Sequence, residues 1–344
     1  MKNRVCEILG CRFPIIQGGL AYVGNGRLAA AVSAGGGFGQ VGSGGRSPED
    51  LEAQIRIALA ATDAGFGVNV PLSEHRDVSP YFEVIERMVR QHPGRIRAVS
   101  LSAGNPRPWI PVVRGWGLAV MTLASTPEQA QKAEAAGADI VICEGTEAGG
   151  HNGPAELTTF SLIPNVVDAV RIPVVAAGGI ADGRTAAAAI CLGAEGVQMG
   201  TRFVATEECQ AHPNYKNLLV ASRAQDTVVM ERSFGRITRV LRSPFAEAVL
   251  RQEAETPGSE AHLLPMISGR MNARAALEGD VEGGWMNAGQ SVGLVHDIVP
   301  AADVVRRVAA EAARILQQRS AQWQAWTDES IRSTDEGTHN PPSR

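Results

Sequence analysis

The chain is short of most features that would assign it at a glance. It has five cysteines in 344 residues, an odd number, at positions 6, 11, 143, 191 and 209, and no CxxC pair. That argues against a disulfide framework and fits free thiols in a reducing compartment, so a cytoplasmic location is expected. Charge of one sign is also lacking: 32 basic side chains stand against 36 acidic ones, a net charge of −4. Such a balance leaves no electrostatic footprint for nucleic acid or anionic lipid. No window approaches 18 apolar residues, so no membrane-spanning helix is expected. The opening stretch "MKNRVCEILGCRFPIIQGG" is broken by Glu7, Gly10 and Arg12, which is unlike a signal peptide. No histidine or carboxylate pair shows metal-ligand spacing, and no metal is expected.

What is present is a soluble, globular composition, 44% apolar and 20% charged, long enough for one large α/β barrel. Short, continuous apolar runs recur at 13–17, 38–42, 66–70, 96–102, 118–123, 139–143, 173–177 and 196–200. Continuous rather than alternating hydrophobicity marks strands buried on both faces, as in a parallel sheet. Helical patterns lie between them, with Ser47-Pro48 and Thr126-Pro127 as cap and first-turn signals. Eight strands alternating with helices predict a (β/α)8 TIM barrel. A dinucleotide-binding fold is the rival, since Gly37, Gly39 and Gly42 spell GxGxxG. Here, however, a helical pattern precedes the glycines and the motif contains the second strand, the reverse of what that fingerprint requires.

The alternation stops near residue 205. The expected organisation is a barrel over 1–205, an inserted and mainly helical cap over 206–280, and a return to the barrel with a C-terminal helix over 281–327. A disordered tail is expected over 328–344, which is polar and proline-containing.

In such a barrel, chemistry gathers at the C-terminal ends of the strands. Those ends carry Gln17-Gly18-Gly19, Asn69, Ser102-Ala103-Gly104-Asn105, Glu144, Gly178-Gly179 and Gly200-Thr201. Glycine-rich ends at 178–179 and 200–201, each before a helix start, offer bare amides for a phosphate. Asn69, Glu144 and Gln198 point into the barrel mouth, suggesting a phosphorylated cofactor with a polar body, and FMN fits. The stretch "EGTEAGGHNG" (144–153) adds one imidazole, His151, among four glycines. Cys143 sits beside it, and a small buried thiol at a strand end is the simpler reading of that residue than a nucleophile.

The motifs "PIIQGG", "GFGVNV", "EGTEAGGHNG", "PVVAAGGIADG", "GVQMGTRF", "AHPNYK" and "AGQSVGL", in order from residue 14 to about 295, resemble the FMN-dependent barrel enzymes. That family includes nitronate monooxygenases (2-nitropropane dioxygenases) and flavin-dependent enoyl-ACP reductases. The resemblance implies FMN contacts at Gly18, Gly19, Asn69, Glu144, Gly149, Gly179 and the run Gln198-Met199-Gly200-Thr201, beside Gly178 from the strand-end pattern. It also implies that His151 is the catalytic histidine, with the loop glycines letting it close over the flavin.

Nitronate oxidation with O2, linked to NAD(P)H as co-substrate, is the leading expectation, and enoyl-thioester reduction is the alternative. "HPNYK" and "GDVEGGWMNAGQ" favour the reductase branch, whereas Asn152 and "NVPLSEHRD" depart from it. A flavin-binding barrel without turnover is the remoter possibility, and a monomer or homodimer is expected. His212 reads as an anchor for the helical region, Trp109, Trp116 and Trp285 as packing residues, and His75 as a polar loop residue after the third strand rather than a substrate contact.

Overall fold

The computed structural model describes residues 3–72 and 77–336, without the side chains of 328–336. His75 and residues 337–344 lie outside the described residues. The barrel strands are β1 (Ile15–Gln17), β2 (Gln40–Gly42), β3 (Phe66–Pro71), β4 (Ile96–Ser102), β5 (Ala119–Ala124) and β6 (Ile140–Glu144). After β7 (Gly150–Asn152), which leaves the barrel, come β8 (Val174–Ala177) and β9 (Gly196–Met199). The eight are parallel in the order β1-β9-β8-β6-β5-β4-β3-β2, and a parallel bridge from Ile16 to Phe38 joins β1 to the start of β2. All eight fall on the apolar runs of the sequence.

The outer helices are α1 (Arg4–Leu9), α2 (Gly26–Ala34), α3 (Pro48–Ala61), α4 (Ser79–Gln91), α5 (Ile110–Gly115), α6 (Pro127–Ala135), α7 (Thr159–Ala169) and α8 (Gly183–Cys191). Ser47 caps α3 by accepting from the Asp50 amide, and Thr126 caps α6 by accepting from that of Gln129. Each cap satisfies one of the donors a helix start leaves free. The GxGxxG of the sequence is a packing device: a side chain at Gly39 would overlap the Ala29 carbonyl of α2, and one at Gly42 the Gly19 carbonyl.

Strand pairing fixes which residues face inward. The register runs Gly67–Ala98–Ala119 and Asn69–Ser100–Met121, then Leu123–Ile142–Val175–Gly196 and Glu144–Ala177–Gln198. Because strand side chains alternate faces, this parity grades the interior from apolar at the floor to polar at the mouth. On the floor, Ile16, Phe38, Ala98, Met121, Ile140, Ile142 and Val175 pack with Val5 and Leu9 of α1, so the first helix stoppers the N-terminal end.

Beyond α9 (Thr201–Val204) the chain forms α10 (Pro213–Ala221), β10 (Thr227–Met230), β11 (Ile237–Leu241), α11 (Pro244–Glu255), α12 (Glu260–Ile267) and α13 (Gly269–Glu278). The insert is therefore helical with a β-hairpin inside it. That hairpin adds β7 as a third antiparallel strand, order β10-β11-β7. A separate small core of Val228, Met230, Val240, Ala246, Val249, Ile267 and Trp285 holds the insert together. The last helix, α14 (Ala301–Glu336), packs on α8 and α2. It continues past residue 327, where the sequence pattern places the start of a disordered tail.

Candidate active site

A cavity of about 690 Å³ occupies the mouth of the barrel, lined by the strand ends, the His151 segment and residues of the insert. Gly18, Gly19, Asn69, Glu144, Gly149 and His151 all line it, as do Gly178, Gly179, Gln198, Gly200 and Thr201. Met199 does not. Strand parity turns its side chain outward, where it is 1% exposed in the main core. Only its backbone takes part, the carbonyl accepting from the Gly18 amide at 3.0 Å.

Asn69 donates from Nδ2 to Ser100 Oγ at 2.9 Å and Ser102 Oγ at 3.4 Å, which fixes the amide plane. A Cβ on Gly19 would overlap Asn69 Oδ1, so glycine is required there by close approach. Gln198 is 7% exposed and lies 3.5 Å from Gln40 Nε2. Gln40 in turn donates to the Gln17 carbonyl at 2.8 Å and accepts nothing at its own Oε1, a buried acceptor without a partner among the described residues. Glu144 ends β6 half-buried at the barrel mouth, and the burial it has pushes its carboxyl up to about 7. Beside it, Cys143 faces the outer core, and burial raises its thiol to about 12. That is the behaviour of a structural thiol, not a nucleophile.

The phosphate cradle differs in one respect from the sequence expectation. The N-terminus of α8 is already occupied: Asp182 accepts from the Thr185 amide at 2.9 Å, and Glu311 accepts from Gly183 at 2.9 Å. These carboxylates satisfy the helix start, so α8 offers its dipole to no further anion. What remains are Gly178 and Gly179 at φ 88° and 73° and the start of α9, which no side chain caps. No hydrogen bond among the described residues uses the amide of Gly179, and Thr201, as first residue of α9, has no intrahelical acceptor. The residues present fit a phosphate held by amides and a polar body held by Asn69, Gln198 and Glu144.

His151 lies on β7, not on a free loop. Its Cα partner is Thr238 of β11, flanked by the pairs Asn152–Ile237 and Gly150–Arg239. Its side chain is 62% exposed, with Nε2 3.9 Å from Glu231 Oε1. The surrounding glycines permit contact more than freedom. A Cβ on Gly149 would come within 2.6 Å of the Ala288 carbonyl carbon, where the segment 288–291 docks. Gly289 donates to Thr201 Oγ1 at 2.9 Å and Gln290 to the Glu147 carbonyl at 2.8 Å. Arg239 clamps the base of the turn through Thr146 O at 3.0 Å.

"HPNYK" braces the insert, although Tyr215 also lines the cavity. His212 caps α10 by accepting from the Asn214 amide, Tyr215 donates to the Asn287 carbonyl, and Lys216 donates to Thr206 O at 2.6 Å. Trp109 stacks on Phe82 at 3.9 Å, Trp116 packs beside it, and Trp285 is 4% exposed in the insert core. The site residues that no motif announced are Gln40, Ser100, Arg239 and Glu231. Only parity along a strand could have placed Gln40 and Ser100, and nothing local marks the other two.

A closed parallel barrel with an amide cradle, a polar ring and one exposed imidazole at its mouth is the architecture of a flavin-dependent oxidoreductase of the (β/α)8 class. The nitronate monooxygenase family model matches residues 2–311, and the chain belongs to that family. It is 33% identical to a Staphylococcus saprophyticus protein described as a probable nitronate monooxygenase, over 86% of this chain and 94% of that one. It is 30% identical to a Rhodococcus jostii (3aS,4S,5R,7aS)-5-hydroxy-7a-methyl-1-oxo-octahydro-1H-indene-4-carboxyl-CoA dehydrogenase, over 93% and 98%. Among solved structures, FabK from Thermotoga maritima superposes with a TM-score of 0.84 at 39% identity, covering 94% of this chain and 99% of that one. No helix among the described residues is long and apolar enough to cross a membrane.

Proposed function

We propose that the chain is an FMN-dependent nitronate monooxygenase that oxidises alkyl nitronates with O2, and that NAD(P)H can take the nitronate's place as electron donor to the flavin. The supporting observation is that one cavity joins the amide cradle at Gly179 and Thr201 to the exposed imidazole of His151. Bound FMN supplies the electron-accepting ring. The protein supplies the rest. The amides of Gly179 and Thr201 take the phosphate, while Asn69, Gln198 and Glu144 meet the polar body of the cofactor. His151 holds the substrate's nitro group by a hydrogen bond and keeps it against the ring.

A second reading, enoyl-thioester reduction, is favoured by the rim of the same cavity. Arg107 and Lys132 line it as exposed cations, and neither forms an ion pair among the described residues. They complement the phosphates of a thioester carrier, and a carboxyl-CoA appears in the name of the Rhodococcus relative. The deciding experiment is a side-by-side assay of the purified protein with an alkyl nitronate and an enoyl thioester, after chromatography of the heat-released flavin. FMN and nitronate turnover are expected. FAD in the supernatant would remove the phosphate cradle, thioester turnover alone would transfer the assignment to the reductase, and bleaching by neither substrate nor NADPH would leave an inert binder.

A further inference from the structure

Glu231 is a carboxylate that none of the chemistry above employs. It follows β10, is 3% exposed, and keeps a left-handed backbone at φ 71°. A non-glycine residue holds that conformation only when its surroundings impose it. Here Glu253 does so, accepting from the amides of Glu231 at 3.1 Å and Ser233 at 2.6 Å, while the amides of Phe234 and Arg236 close a turn on the Glu231 carbonyl. The turn aims the side chain across the small sheet at β7. There its Oε1 lies 3.9 Å from His151 Nε2, and its Oε2 lies 3.7 Å from Arg236 Nη1.

The other charges nearby are already committed. Arg239 is turned to Thr146 and Thr227, Arg232 pairs with Glu156 at 2.7 Å, and Glu253 is taken up by amides. Among the described residues, Glu231 is the only anion within ion-pair reach of His151.

We propose that Glu231 is the positioning residue of His151. Its carboxylate attracts the Nε2 side of the ring and so turns Nδ1 to the substrate; with both ring nitrogens protonated, Nδ1–H donates to the nitro group. The ring is 62% exposed, and the buried carboxylate is the charged group that faces it and favours one orientation. The insert thereby does more than cover the mouth: its hairpin both carries β7 and supplies the group that orients the imidazole. The proposal rests on His151 being the group that meets the substrate.

Two substitutions separate positioning from support. Glu231→Gly suits the left-handed backbone and removes the carboxylate, whereas Glu231→Gln keeps the length and removes the charge. Both should retain flavin content, with Glu231→Gly at least as thermostable as the parent. Both should lower kcat on the order of ten- to a hundred-fold with KM little changed. In a His151→Ala background, Glu231→Gln should cost nothing further. Nitrogen-15 spectra of the ring should show both nitrogens protonated in the parent and a neutral fraction in Glu231→Gln. Unchanged ring spectra, or an equal loss in the His151→Ala background, would overturn the proposal. If His151→Ala is itself fully active, the role of His151 fails, and the ring spectra still decide whether Glu231 sets its protonation.

Discussion

At the scale of single residues, the site separates two tasks, and two substitutions should show it. His151→Ala removes a group that touches neither the amide cradle nor the polar ring. Flavin content should be retained while turnover of the organic substrate falls on the order of 10²–10⁴-fold, and reduction by nicotinamide should be much less affected. Stopped-flow on the two half-reactions is the measurement. Glu144 makes a different prediction. Its carboxyl is raised from 4.5 to about 7 by burial. A group with a raised folded pKa contributes its stability below the unfolded value and loses it as pH climbs through the folded one. The difference is on the order of 3 kcal/mol. Glu144→Gln should therefore melt close to the parent near pH 4.5 and increasingly above it up to pH 8 in flavin-stripped protein. A constant difference across that range would refute the burial effect. Strand-end position and glycine context marked Asn69, Glu144, Gln198 and His151, and all four line the cavity. At Met199 a contiguous motif hides the alternation that turns every second side chain away, leaving only its backbone at the mouth. Glu231 was invisible because only the fold brings a residue of the insert to a histidine eighty positions earlier.

The elements divide along the same line. The eight barrel strands were legible because strands buried on both faces leave unbroken apolar runs. β7 was not, since Gly-His-Asn has little β-propensity and becomes a strand only by pairing with β11. β10 and β11 lay in a stretch whose mixed charge suggested helices and loops. The docking of 288–291 against the His151 segment is the joint that holds this second sheet in place. Gly149→Ala should spring it, because the backbone of Ala288 and Gly289 sits 2.6 and 2.7 Å from the added methyl and cannot yield as a side chain would. A stability loss of about 1–3 kcal/mol is expected. Activity should fall further than flavin content, since the strand carrying His151 moves while the cradle at Gly179 and Thr201 does not. Equal melting temperature and rate in the alanine variant would show that the joint is slack.

For the whole molecule, the barrel class followed from the count and spacing of apolar runs, but its floor did not. Nothing in the opening stretch announces a stopper, and only the fold shows Val5 and Leu9 packed fully buried on the lower layer. That stopper has a kinetic consequence. A vessel sealed below has a single door, so an electron donor and an electron acceptor that both need the flavin face must take turns. The first product has to depart before the second visitor arrives. Steady-state rates measured against NADPH at several fixed concentrations of the oxidising substrate should therefore give parallel double-reciprocal lines, and lines that intersect would show that both are bound at once.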